Sequence, residues 1–342
     1  MIDILFMLRL VKNNACRVIR MKQKSALIGS TVALLFALVI YWVFRMNWWQ
    51  ELFTVMSLSF LLCMPFGMGF LTVYFAGEKI TQNKLDSIVL PWLPLLGFVF
   101  VTLFWQIEGW ACWAMILPLF MIASSLGGLT RRRMVLKNRK KDSTLSISII
   151  VLLPLLLSPI EALIGKIPGT YKADTHIDIA APASAIWPQV TRVSTIAEHE
   201  DTGWLNKSLG FPRPVKAELN YEGIGAYREA IFTGGLIFHE TVSEYRHESR
   251  MVFAIKADPH EIPSTTMDEH VVIGGDYFDV LNGTYELEKL AENSYRLHLY
   301  SHFKLNTTFN FYASWWAKWI MRDIQNNILG VIKKRAEKTG SI

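Results

Sequence analysis

The chain has 342 residues, enough for about two domains, of which 51% are apolar and 19% charged, below the roughly 25% charged content of ordinary globular chains. Its net charge of +6 hides a split: residues 1–170 carry 17 Lys and Arg against 7 Asp and Glu, whereas residues 171–342 carry 18 against 22. The positive excess flanks apolar runs, as expected beside a membrane, so the basic balance gives no argument for a nucleic-acid partner and none is expected.

The three cysteines, Cys16, Cys63 and Cys112, all lie in the first half. The second half therefore has no disulfide and no thiol nucleophile, and no spacing suggests zinc. No metal and no cofactor is expected.

In chain order, residues 1–24 are a basic tail, in which Met1 and Met21 both stand as candidate starts. Residues 25–165 hold five apolar stretches of membrane-spanning length: Ser25–Phe44, Leu52–Ala76, Ile88–Trp105, Trp110–Leu129 and Thr144–Ile164. The first has a basic start but no small-residue cleavage site, and it ends in Tyr41, Trp42 and Phe44. Such aromatic ends anchor a helix at the interface, so an uncleaved span is expected. The fifth is the weakest, with Pro154, Pro159 and Glu161.

If all five span, the tail and the loops 78–87 and 130–143 share one side with fifteen Lys and Arg, against Arg45 alone on the other. That bias makes the N-terminus cytoplasmic in a multi-pass inner (plasma) membrane. It puts the C-terminal half on the extracytoplasmic face, periplasmic in a Gram-negative cell. A fifth stretch that did not span would reverse this. Trp48, Trp49, Trp105, Trp110 and Trp113 then read as an outer aromatic belt. No ionisable residue sits mid-span, which argues against a secondary transporter.

Residues 166–172 read as a Gly- and Pro-punctuated linker, and residues 173–340 as a second domain. There the periodicity turns to alternation. Strands are expected at His176–Ala180, Val215–Asn220, Ala226–Phe232, Leu236–Tyr245, Arg250–Ala257, His270–Ile273, Gly283–Leu290 and Tyr295–Lys304, with a short helix at Ala183–Val190. Thr233-Gly234-Gly235 and Asn282-Gly283 are hairpin signals. Thr308–Lys338 reads as one long helix with an apolar stripe through Phe309, Tyr312, Ala313, Trp316, Ile320, Ile324, Ile328 and Val331. A bent antiparallel sheet around that helix leaves a cavity between them, the default place for a ligand.

Ile177-Asp178-Ile179-Ala180-Ala181-Pro182 followed by Ile186-Trp187, Gly223–Arg228, Glu240-Thr241-Val242 before Tyr245, Gly283-Thr284-Tyr285-Glu286-Leu287 and the terminal helix follow one another in a familiar order. In these, residues 173–338 resemble the START-like, helix-grip (SRPBCC, polyketide cyclase/dehydrase and lipid transport) superfamily. The resemblance implies a helix-grip domain for this half and says nothing of the five helices; with the apolar spans, the chain is expected to be α+β, a five-helix transmembrane region followed by a helix-grip domain. The resemblance does not choose among the superfamily's lipid carriers, cyclases, receptors and hydrolase activators.

The residues expected to line the cavity are Phe238, Glu240, Tyr312, Trp316, Ile320, Asp323, Ile324, Asn327 and Ile328. Glu240 alternates with Leu236, Phe238 and Val242 and so shares their apolar face. Either a cation such as Arg228 pairs with it, or it acts as a cavity acid or base. Asp323 and Asn327 either satisfy a hydrogen bond to the sheet or sit on the helix flank, or they orient a ligand head. Trp315 and Trp319 pack under a loop or touch the bilayer interface. His199 among Glu198, Glu200 and Asp201 reads better as solvated than as a metal site.

Three functions stay in view: a membrane-anchored binder of a lipid, isoprenoid or polyketide-like molecule, serving transport or sensing; a cyclase/dehydrase-type enzyme using Glu240 or Asp323; and a non-catalytic scaffold. The partners are membrane lipids and a hydrophobic small molecule, with a homo-oligomer or another membrane protein left open.

Overall fold

The computed structural model describes residues 2–49, 51–137, 143–257 and 272–340. Arg139, Lys140 and Lys141 of the basic loop, and His270 and Val271 of one expected strand, lie outside them. The chain divides into two compact units, one comprising residues 1–108 and 113–165, the other carrying residues 166–342.

The first unit is helical. It runs through α1 (Ile2–Phe44), α2 (Met64–Ala76, entered through a π turn at Ser59–Cys63), α3 (Glu78–Thr81), α4 (Lys84–Val89), α5 (Trp92–Phe104), α6 (Trp110–Leu136) and α7 (Ser143–Ile164). Among the described residues, five stretches are long and apolar enough to cross a membrane: Gln23–Phe44, Ser59–Ala76, Lys84–Phe104, Trp110–Leu136 and Ile147–Ile164. Pro91 divides the third into α4 and α5, because a proline removes a backbone donor and crowds the preceding turn.

Small residues set the helix packing. A Cβ on Gly69 would lie 1.8 Å from the Ser124 carbonyl oxygen, and one on Gly127 would lie 2.0 Å from that of Phe66, so α2 and α6 meet backbone to backbone. Glu161 accepts hydrogen bonds from the Leu58 and Ser59 amides at 2.6 and 2.8 Å. It thereby satisfies donors that the start of a helix leaves open. Trp113 departs from the expected belt: it is buried, and its Nε1 donates to Thr102 Oγ1 at 2.9 Å. An indole N–H inside a bundle needs such an acceptor.

The second unit is a seven-stranded antiparallel sheet of β1 (Ile167–Ile179), β2 (Pro214–Leu219), β3 (Tyr227–Phe232), β4 (Ile237–Arg246), β5 (Arg250–Lys256), β6 (Phe278–Ala291) and β7 (Ser294–Thr307). The order is β1-β7-β6-β5-β4-β3-β2, so β1 and β2 are the edges. The helices α8 (Ala183–Thr191) and α9 (Trp204–Leu209) lie between β1 and β2 in sequence. The sheet curves around α10 (Asn310–Gly340), the helix-grip arrangement expected from the alternation and the terminal helix.

Two expectations give way. Residues 167–172, expected as linker, belong to β1, with Ile167 opposite Thr307 and Lys172 opposite His302. An edge strand tolerates Pro168 and Gly169 because one row of its backbone donors faces no neighbour. Asn282-Gly283 is no turn; it lies within β6, beside a register shift between Val280 and Asn282. A Cβ on Gly283 would come 2.5 Å from Phe253 Cζ, so the glycine admits a ring from the next strand. The true β6–β7 turn passes through Asn293, at φ 54°. Thr233-Gly234-Gly235 does join β3 to β4, with both glycines at positive φ.

Candidate functional site

The site grows from strand parity. Successive side chains point to opposite faces of a sheet, so Phe238, Glu240 and Val242 of β4 all turn inward and are buried, as is Leu236 just before the strand. Arg228 of β3 is the direct cross-strand partner of Glu240, and the two form an ion pair with each only 3% exposed. Arg228 Nε also donates to the Thr191 carbonyl at 3.3 Å. Its guanidinium stands 5.4 Å from the Phe253 ring centroid and 6.0 Å from that of Tyr285.

Burial pushes the Glu240 carboxyl above the usual range, while Arg228 pulls the other way. Burial also works against the guanidinium charge, but Glu240 and Tyr285 outweigh it and hold Arg228 protonated. Burial raises the Tyr285 phenol as well. A charge pair enclosed in this way is strongly coupled, because little water screens it.

This pair lines a cavity of about 70 Å³ between the sheet and α10. Ala217, Phe232, Phe238, Phe253, Ile255, Val280 and Leu299 supply its apolar walls from the sheet, and Met321, Ile324 and Ile328 do so from α10. Tyr285, Ser301 and Gln325 add polar atoms beside the pair. Gln325 is itself tied down: it donates to Ser301 Oγ at 3.2 Å and accepts from Thr175 Oγ1 at 3.2 Å.

Of the expected lining residues, Phe238, Glu240, Ile324 and Ile328 come together here. The other five do not line it. The face of α10 turned to the sheet runs through Ser314, Met321, Gln325, Leu329, Ile332 and Ala336, rotated from most of the expected stripe, of which Val331 is also buried, as is Asn327. Tyr312, Trp316 and Ile320 are thus half-buried on its flank. The rotation escapes a hydropathy pattern because Ser314 and Gln325 are polar yet face inward.

Asp323 and Asn327 form a clamp. Asp323 accepts from the Asn206 amide at 3.0 Å and from its side chain at 2.8 Å. Asn327 accepts from the Thr202 amide at 2.8 Å and donates to Asp201 at 2.8 Å. Two turns beyond Asn327, Arg335 grips Glu200 through two nitrogens at 3.0 and 2.7 Å and also the Thr195 carbonyl at 2.9 Å. The three residues, spaced at multiples of four, share one flank of α10. They pin the segment 194–206, whose Ile196 lines the cavity.

Sequence reasoning missed Tyr285, Ser301, Met321 and Gln325 as lining residues. Tyr285 was reachable by the parity that singled out Glu240, since Gly283, Tyr285 and Leu287 alternate. Among the described residues no group of His, Cys, Asp and Glu is arranged to hold a metal ion.

No protein-family model matches the chain, and no curated protein matches it. Among solved structures, it is similar to the conserved protein of unknown function EF2215 from Enterococcus faecalis, with 16% identity over 50% of this chain and 73% of that one and a TM-score of 0.27. It is similar to a START superfamily protein from Mycobacterium smegmatis, with 10% identity over 50% and 99% of the two chains and a TM-score of 0.32. It is also similar to a point mutant of Thalictrum flavum norcoclaurine synthase in complex with a transition-state analogue, with 14% identity over 51% and 98% and a TM-score of 0.31. The fold assignment stands on the strand order and α10: a helical region with five apolar stretches of membrane-crossing length, followed by a curved antiparallel sheet around a long helix, a helix-grip architecture.

Proposed function

We propose that the second unit binds one hydrophobic molecule with an uncharged hydrogen-bonding end, drawn from the membrane in which the first unit is anchored. The observation that carries this is an apolar space with a neutralised polar floor. Arg228 and Glu240 cancel each other's charge, so a charged head gains little there, whereas a hydroxyl or carbonyl can meet Tyr285, Ser301 or Gln325. Phe238, Ile324 and Ile328 would hold the apolar part, at about 0.8 kcal/mol for each buried methylene.

Size sets the terms. A cavity of about 70 Å³ is well under the roughly 300–1,000 Å³ of drug-sized ligand sites. Binding therefore requires the space to open, and the clamped segment 194–206 with the adaptable Met321 are the parts to move. Organic extraction of the full-length protein, purified in detergent, should yield an apolar molecule enriched over bulk lipid. Ile324→Trp, which fills the cavity, should lose it. Equal extracts from the two proteins would refute the reading.

The small volume also favours a second reading, a membrane-anchored scaffold whose core is essentially filled. Unchanged cellular function of Ile324→Trp would support it. On either reading we propose that the domain lies on the extracytoplasmic side, which the charge bias supports if all five stretches span. Alkaline phosphatase fused after Ile342 should then be active, and an inactive fusion would place the domain in the cytoplasm.

A further inference from the structure

The start of α10 carries an aromatic patch that the cavity does not use. Phe311, Trp315 and Trp319 lie along one side of its first three turns, and they are 69%, 55% and 37% exposed. Trp204 of α9, itself 60% exposed, joins them with its ring centroid 5.8 Å from that of Trp319. Exposed aromatic surface gathered in this way marks an interaction site.

We infer that this patch is a membrane-docking surface, seated in the headgroup layer of the bilayer that the chain's own helices cross. Three observations select that occupant. The first is reach: only Gly165 and Lys166 separate the last residue of α7 from the first of β1, so the domain starts within about 10 Å of a spanning helix. Asn310 Nδ2 donates to the carbonyl of Ile167, which fixes the start of α10 at that tether.

The second observation is side-chain chemistry. Tryptophan prefers the membrane–water interface, where its ring is sheltered and its N–H stays wet. The third is charge: none of residues 293–322 is acidic, while Lys318 and Arg322 accompany the aromatics and suit anionic headgroups. Asp323, the next carboxylate, is turned to Asn206. From Asn310 to Trp319 the helix rises about 14 Å, more than the roughly 5–8 Å of one headgroup layer. The first turns of α10 therefore lie along the surface.

The test uses the purified full-length chain in nanodiscs of zwitterionic and anionic phospholipid in a 3:1 ratio, doped with a phospholipid carrying a diazirine near its headgroup. After irradiation, peptide mapping should find adducts on Trp315, Trp319 and Trp204 as well as on the spans. Trp315→Ser with Trp319→Ser should lower the adducts on α9 at least five-fold and leave those on the spans unchanged. Leaving out the anionic lipid should lower them too. Adducts confined to the spans and to the tether-adjacent residues 310–312 would overturn the inference, as would uniform labelling of the whole domain. Absence of lipid adducts on Trp315, Trp319 and Trp204 in nanodiscs that hold two copies of the chain would assign the patch to self-association and overturn it equally.

Discussion

Arg228 and Glu240 face each other across the β3–β4 ladder and are the charged residues buried among those described in the sheet domain. Their pairing makes the cavity floor polar but electrically neutral. Removing one partner leaves the other as an uncompensated charge in an apolar surround. Glu240→Leu or Arg228→Met alone should each destabilise the domain by about 3–5 kcal/mol, and the double variant should recover most of it. Hydrogen exchange of β3–β5 in the full-length protein measures this; additive losses would show that the two side chains do not act as a pair.

The clamp on α10 predicts a local effect rather than a global one. Arg335→Ala and Asn327→Ala each remove several hydrogen bonds to segment 194–206, worth about 1–3 kcal/mol. Faster amide exchange should appear there, with β6 and β7 unchanged. Uniform acceleration would mean that the segment is no separate element.

Glu200 adds a pH dependence to that clamp. The Arg335 guanidinium, helped by the Ala197 amide, holds its carboxyl down to about 2. A carboxyl depressed in the folded state stabilises it fully above the unfolded pKa of about 4.5 and loses that contribution as pH falls towards 2. Protection of segment 194–206 should thus exceed that of Glu200→Gln by a constant amount above pH 5, and the difference should shrink between pH 4.5 and 2. A pH-independent difference would contradict this assignment.

Gly283 allows a direct packing test. Gly283→Ala places a methyl 2.5 Å from the Phe253 ring, an overpacking cost of about 1–3 kcal/mol. Adding Phe253→Leu should return part of it. Thermal unfolding of the two variants side by side decides, and an unperturbed single variant would show that the ring yields freely.

These particulars mark what the sequence makes legible. Apolar length announces the spans, and period two announces the strands and the inward turn of Glu240. The same parity points at Arg228 and would have found Tyr285. What escapes is whatever polar chemistry decides. Gln325 faces inward because Thr175 and Ser301 meet it, which rotates α10 away from its most apolar stripe. Asp323 and Asn327 stand where a ligand head was expected, yet they hold Asn206 and Thr202, more than a hundred residues away in the chain. Gly283 resembles a turn residue because nothing local shows that Phe253 lies over it.

The ligand proposal meets its most direct test in native mass spectrometry of the full-length protein released from nanodiscs. One bound apolar molecule per chain is expected in the wild type and in Ile324→Val, and none in Ile324→Trp. A bare chain mass in the wild type, or an adduct that survives Ile324→Trp undiminished, would contradict it.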